Sequence, residues 1–149
     1  MKIILGADHG GWQMKEEIRM WLTRLRQGYG EVKDMGAIKQ NPNDDYVDFA
    51  VLVAKELDKD GEAKGLLFCR NGIGMVITAN RFGGVRCGVG FNVQAVEKGR
   101  SDDDINCLAI PSEYVSLEMV KEMIEVFLKT EFKMEERYER RLLKLGLIK

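Results

Sequence analysis

Cys69 ends an apolar run and is followed at once by Arg70-Asn71-Gly72-Ile73-Gly74-Met75, a two-glycine turn leading into a helical pattern. Two effects converge on such a turn. Glycines let backbone N–H groups approach an anion, and a helix N-terminus adds about half a positive charge. The same field stabilises a thiolate, so Cys69 is expected to titrate below the free-thiol value of about 8.5 and to act as a base or nucleophile. The alternative is a small, buried, apolar cysteine, which is how Cys87 and Cys107 read from their places inside strands. The glycines do not spell a dinucleotide fingerprint, because Ile77 stands where the third glycine belongs, and no loop ends in Gly-Lys-Ser/Thr.

His9, the only histidine, follows Asp8 and precedes Gly10-Gly11. In a strand-to-helix loop an imidazole can hold a phosphate or relay a proton, or it can simply fill the loop. Near the C-terminus Arg137 and Arg141 stand one helical turn apart with Arg140 and Lys144 beside them, so several cations can converge on a dianion. A solvated helix laced by Glu136 and Arg140 is the plainer alternative. The run Asp102-Asp103-Asp104 offers carboxylates to a metal, but adjacent acids in a polar loop are more often solvated or capping. No metal is expected there.

These residues need elements to position them, and the apolar pattern supplies them. Continuous apolar runs at residues 2–5, 31–35, 65–69, 85–89 and 107–110 read as buried strands. Between them, Met14, Ile18, Trp21, Leu22 and Leu25 gather on one face of a helix that Gly28 and Gly30 stop. A second helix over residues 46–59 puts Val47, Ala50, Ala54 and Leu57 on one stripe, a third starts near Gly72, and a fourth near Asn92. Ser116 suits the cap of a fifth over residues 116–130, with Glu118 in its first turn and Val120, Met123, Ile124 and Phe127 facing inward. A last helix spans residues 135–145. Strand then helix, with continuous rather than alternating strands, predicts a doubly wound α/β domain: a five-stranded parallel sheet covered on both faces. Ligands in such sheets sit at the carboxyl ends of the strands, which singles out Asp8 and His9, residues 41–46, residues 69–75 and residues 90–92.

The chain has 149 residues, with 23 Lys and Arg against 24 Asp and Glu, and 45% of it is hydrophobic. That length suits one domain with its own core, and the charge balance argues against a nucleic-acid surface. No apolar run approaches the roughly 18 residues that a membrane span needs, and Met1-Lys2-Ile3-Ile4-Leu5 breaks at Gly6, too early for an export signal. Three widely spaced cysteines and one histidine fit a reducing compartment without a zinc site. A cytoplasmic protein is the expectation.

The stretches Gly6-Ala7-Asp8-His9-Gly10-Gly11, Asp45-Tyr46-Val47-Asp48-Phe49-Ala50, residues 69–75 with Ala79-Asn80, Gly84-Val85-Arg86, Asp104-Ile105-Asn106-Cys107-Leu108-Ala109 and the terminal arginines, in this order, cover nearly the whole chain. Together they resemble the ribose-5-phosphate isomerase B family, which includes the galactose-6-phosphate isomerase subunits. The resemblance implies a Rossmann-like homodimer, able to pair into a tetramer, without cofactor or metal. It would interconvert phosphorylated aldoses and ketoses through a cis-enediolate, most simply ribose 5-phosphate and ribulose 5-phosphate. By the same resemblance Cys69 is the general base that moves a proton between C1 and C2. The N–H groups of Asn71, Gly72, Ile73 and Gly74 form the anion hole, and Asp8 and Tyr46 contact sugar hydroxyls. His9, Arg137 and Arg141 bind the phosphate, the arginines coming from the neighbouring subunit.

Several positions depart from the family pattern. Arg70 and Asn71 replace a small Gly-Thr or Gly-Ser, which puts a long cation in the substrate-binding set and an amide beside the base. Asp102 takes the place of the ring-opening histidine, a poor acid at neutral pH but a usable base, and Asp103 beside it joins the substrate-binding set. Glu113 and Tyr138 stand where a cation and a histidine are usual. A 6-phosphohexose isomerase and a non-catalytic sugar-phosphate-binding relative are the alternatives these changes raise.

Overall fold

Apolar runs too continuous to leave one face wet come together as one parallel sheet. The computed structural model describes residues 1–25 and 29–146. In chain order the elements are β1 (Lys2–Ala7), α1 (Trp12–Arg24), β2 (Glu31–Asp34), α2 (Tyr46–Lys59), β3 (Lys64–Cys69), α3 (Ile73–Ala79), β4 (Cys87–Val89), α4 (Val93–Asp103), β5 (Cys107–Pro111), α5 (Leu117–Lys129) and α6 (Glu136–Gly146). The five strands are all parallel, in the order β2-β1-β3-β5-β4. This is the expected α/β architecture. The expected helix stop at Gly28 lies outside the described residues.

Each face of the sheet buries its own core. On one face Ile18 and Leu22 of α1, Val96 of α4, and Val120, Met123, Ile124 and Phe127 of α5 close over Leu5, Phe68 and Leu108. On the other, Ala50, Val53, Ala54 and Leu57 of α2 and Met75 and Ala79 of α3 cover Ile4, Leu67 and Ala109. The outermost helix, α6, packs on α4 and buries only Tyr138.

Three local outcomes differ from the pattern-based expectation. The fourth strand begins at Cys87 rather than at residue 85, because the Asn106 side chain intercepts the chain before it: its Oδ1 accepts from Arg86 N–H at 2.8 Å and its amide donates to Gly84 O at 2.7 Å. Lys15, on the inner stripe of α1, is fully buried, with its ammonium 2.6 Å from Asp34 Oδ2 and 3.0 Å from Glu16 Oε1. Pairing satisfies a charge that could not otherwise be buried. Finally, β4 lies at the sheet edge with β5 between it and β3, so residues 90–92 are displaced from the ends of β1 and β3.

The sheet order runs outward in opposite directions from the β1–β3 junction, which makes the carboxyl ends of these two strands the binding crevice. There the N-terminus of α1 lies directly on β3. A Cβ built at Gly11 would come within 2.2 Å of Phe68 C and O and 2.6 Å of Cys69 N, and Asp8 N–H donates to Phe68 O at 3.3 Å. Gly11→Ala must therefore push the helix off the strand. It is expected to lower unfolding stability by about 1–3 kcal/mol, read as a lower urea midpoint at unchanged slope.

Candidate active site

The loops after β1 and β3 and the start of α2 form an open cleft of about 380 Å³ lined by Asp8, Tyr46, Cys69, Arg70, Asn71, Ile73, Gly74 and Ile77. Seven of these eight were singled out from sequence; Ile77 was noted only as the residue that breaks a dinucleotide pattern, and Arg70 and Asn71 bring the rim chemistry peculiar to this chain. Tyr46 is seated by close approach: a Cβ at Gly74 would lie 2.6 Å from two of its ring carbons. Gly72 turns the chain out of β3 at a φ of +77°, a conformation that glycine adopts without penalty. That turn aims its N–H back at the thiol, 3.1 Å from Cys69 Sγ.

The thiol is nevertheless harder to ionise than a free cysteine, contrary to the expectation from the turn. Burial is the largest influence and pushes Cys69 up; the N–H groups of Gly72, Asn71 and Met75 pull it down, while the Asp8 carboxylate pushes it up again. Cys69 is only 5% exposed, so desolvation of the thiolate outweighs donors that would dominate at a wetter site. Fewer N–H groups in this turn are free than the resemblance implies. The Gly72 N–H is engaged by sulfur, and the Ile73 N–H donates to Asn71 Oδ1 at 3.0 Å, so the Asn71 side chain closes the turn instead of facing a ligand. The N–H of Gly74 makes no hydrogen bond among the described residues.

Two pairings tie the surrounding loops together. Arg70 lies over Gly10, where a Cβ would meet its Cγ at 2.5 Å, and its guanidinium donates to Glu113 Oε1 at 2.9 Å. Both residues are departures from the family pattern, and they answer each other: the cation absent at 113 is present at 70. The backbone repeats the join, with Ser112 N–H donating to Cys69 O at 2.9 Å and Glu113 N–H to Arg70 O at 3.1 Å. On the other side His9 is held by Asp44, whose Oδ1 accepts from the ring Nδ1 at 2.7 Å. Sequence reasoning missed Asp44. It belongs to the 41–46 loop marked by the strand-end rule, but nothing local distinguishes it from Asp45.

The remaining candidates lie elsewhere on the chain. Asp102 is bonded by the Ser101 hydroxyl, which holds its carboxyl below the usual range with help from Lys98, Lys133 and Tyr138. Arg137 and Arg141 both stack on the Tyr138 ring, their Cζ atoms 4.5 Å and 5.8 Å from its centre. Asp103 lines a different cavity, of about 480 Å³, with Phe82, Arg86, Cys87 and Leu142. A single chain therefore does not bring Asp102, Asp103, Arg137 or Arg141 into the Cys69 cavity. Cys87 and Cys107, register partners on β4 and β5, are buried as expected.

With this geometry the comparisons with known proteins agree. A family model described as Ribose/Galactose Isomerase matches residues 3–145. The chain belongs to this family. Among solved structures it is similar to ribose-5-phosphate isomerase B from Clostridium thermocellum, with 37% identity, a TM-score of 0.89 and coverage of 98% of this chain and 95% of that one. It is equally similar in fold to the Mycoplasma genitalium ribose-5-phosphate isomerase B with bound ribulose-5-phosphate, at 30% identity, TM-score 0.91 and coverage of 97% and 93%. The chain is also similar to a 4-deoxy-4-sulfo-D-erythrose isomerase from Clostridium sp., 31% identical over 89% of this chain and 81% of that protein. No helix among the described residues is long and apolar enough to cross a membrane.

Asp8 supplies a test of the site's electrostatics. Burial raises its pKa above the ordinary 3.8, and Asp44 adds to the rise, against the lowering effects of the Gly11 N–H and His9. A carboxyl with a raised folded pKa contributes stability below its unfolded value and loses that contribution as pH rises through the folded one. Asp8→Asn keeps an oxygen to accept the Gly11 N–H, which lies 3.0 Å from Asp8 Oδ1, and removes the buried charge. The variant is expected to melt a few degrees above wild type at pH 7, with the gain vanishing below about pH 3.8 in calorimetric scans.

Proposed function

We propose that this chain is an aldose-ketose isomerase of phosphorylated sugars, converting ribose 5-phosphate to ribulose 5-phosphate through a cis-enediolate. The observation that carries the reading is Cys69 lining an open cavity together with Asp8, Tyr46 and Gly74. The name of the Clostridium thermocellum relative and the ribulose-5-phosphate bound to the Mycoplasma genitalium one support it.

In this reaction Cys69 Sγ, once ionised to the thiolate, takes the proton from C2 of the open aldose and returns it to C1, while a proton leaves the C2 hydroxyl and one is gained by O1. The Gly74 N–H faces the oxygen on which charge develops, where a preorganised donor counts most. Asp8 and Tyr46 hold the sugar hydroxyls, and His9 holds the phosphate. The route moves protons only and calls for no cofactor. Because the thiol starts neutral, kcat/KM is expected to rise with pH beyond the ordinary thiol range of about 8.5.

The residues outside the cavity complete the site from a second copy. Arg137 and Arg141, stacked on Tyr138, reach the neighbour's phosphate, and Asp102 and Asp103 reach its sugar. Leu143 and Met134, 73% and 81% exposed, supply apolar area for that homodimer contact. Three widely spaced cysteines and a phosphorylated substrate support a cytoplasmic reaction. A 6-phosphohexose is the second reading, favoured by the Arg70–Glu113 pair at the cavity rim, which alters the surface that the sugar's far end meets.

Proton NMR in D2O tests both readings: product and deuterium at C2 are expected with ribose 5-phosphate, and higher kcat/KM on allose or galactose 6-phosphate would shift the assignment to hexoses. Binding of sugar phosphates with neither product nor exchange would mark a non-catalytic relative. Cys69→Ala is expected to lose roughly 10²–10⁴ in kcat, and retained turnover would remove Cys69 as the base. Mixing Cys69→Ala with Arg141→Ala subunits is expected to restore activity in mixed dimers, and failure there would exclude the shared site.

A further inference from the structure

Asp44 has no part in the reaction above, yet it holds His9 at two points. Its Oδ1 accepts from the His9 backbone N–H at 2.9 Å and from ring Nδ1 at 2.7 Å, joining loops 35 residues apart. The Asp44 side chain is 10% exposed, and its Oδ2 is buried with no hydrogen-bond partner. Among the described residues His9 is the only basic side chain within 4.0 Å of this carboxylate. A carboxylate only accepts, so the ring nitrogen facing it carries the hydrogen, and neutral His9 is held as its Nδ1–H tautomer. Main chain and ring anchored on one oxygen leave the imidazole little rotational freedom, and the partly exposed ring keeps Nε2 for a ligand. When that nitrogen is protonated, the imidazolium sits against the Asp44 carboxylate with its Nε2 side left for a second anion. Such an outer partner fixes ring orientation before the ligand arrives.

We propose that Asp44 is a positioning residue that locks the His9 tautomer and ring so that Nε2 meets the anionic group of the substrate, a tetrahedral oxyanion such as phosphate. This rests on the phosphate-binding role proposed for His9. With one histidine in the chain, long-range proton–nitrogen NMR reads the ring without ambiguity. In ligand-free wild type the Nδ1–H form is expected to predominate. Asp44→Asn, whose amide oxygen still accepts, is expected to keep it. Asp44→Val is expected to revert to the Nε2–H form and to bind inorganic phosphate at least tenfold more weakly, followed on the same ring signals.

A wild-type ring in the Nε2–H form overturns the proposal. So does an Asp44→Val protein that keeps either the Nδ1–H form or wild-type phosphate affinity. Phosphate that leaves the wild-type ring signals unmoved overturns it as well, by removing His9 from the anion site. Turnover is not the readout: a protein that locks the tautomer and binds phosphate through His9 but isomerises nothing sinks the isomerase reading and leaves Asp44 assigned.

Discussion

Everything at the candidate site depends on the contact between the start of α1 and the end of β3. With hydrogen as its side chain, Gly11 lets the α1 N-terminus rest on the Phe68–Cys69 backbone, where even a methyl group would collide. That contact brings the loop bearing Asp8 and His9 beside Cys69. The two strands that carry these loops are neighbours because β3 returns next to β1, at the point where the sheet changes direction. A core of branched aliphatic residues on both faces then holds the strand ends rigid, so the loops act as parts mounted on a frame.

The electrostatics of the cavity follow from the same closeness. Cys69 and Asp8 are both desolvated, and the Asp8 carboxylate adds to the thiol's resistance to ionisation on top of what burial imposes. The N–H groups around sulfur soften this without reversing it. A site of this kind stores a cost in the ligand-free fold, because it keeps titratable groups where their charged forms are least welcome. Such perturbation at a cleft marks chemistry more often than architecture. The neighbouring Lys15 shows the architectural version: equally buried, but paired with Asp34 and Glu16 and remote from the cavity wall.

Around the cavity the chain replaces family residues in compensating fashion. Arg70 and Glu113 form one ion pair between the β3 and β5 loops, so the two departures are one change in charge placement. Tyr138, in the place of a histidine, gives Arg137 and Arg141 a shared aromatic face. Asp44 gives His9 a fixed partner. The departures at 70, 113 and 138 look like losses when taken singly and become interactions when their neighbours are seen.

Local pattern carried the sequence a long way. The helix over residues 46–59 matches α2 at both ends, because its apolar stripe and the glycine after it are short-range signals. Strand and helix alternation determined the layered parallel sheet, and the cysteine-to-glycine turn marked the thiol and the N–H groups around it. Only tertiary structure decided that β5 stands between β3 and β4, which removes residues 90–92 from the crevice and puts Glu113 beside Arg70. It also decided that Cys69 is desolvated enough to outweigh the turn's field, that Asn106 shortens β4, and that Asp44 rather than Asp45 reaches His9. These depend on which distant segments become neighbours and how much water they exclude. Spacing along the chain records periodicity and turn chemistry, whereas burial and pairing arise only when the sheet closes.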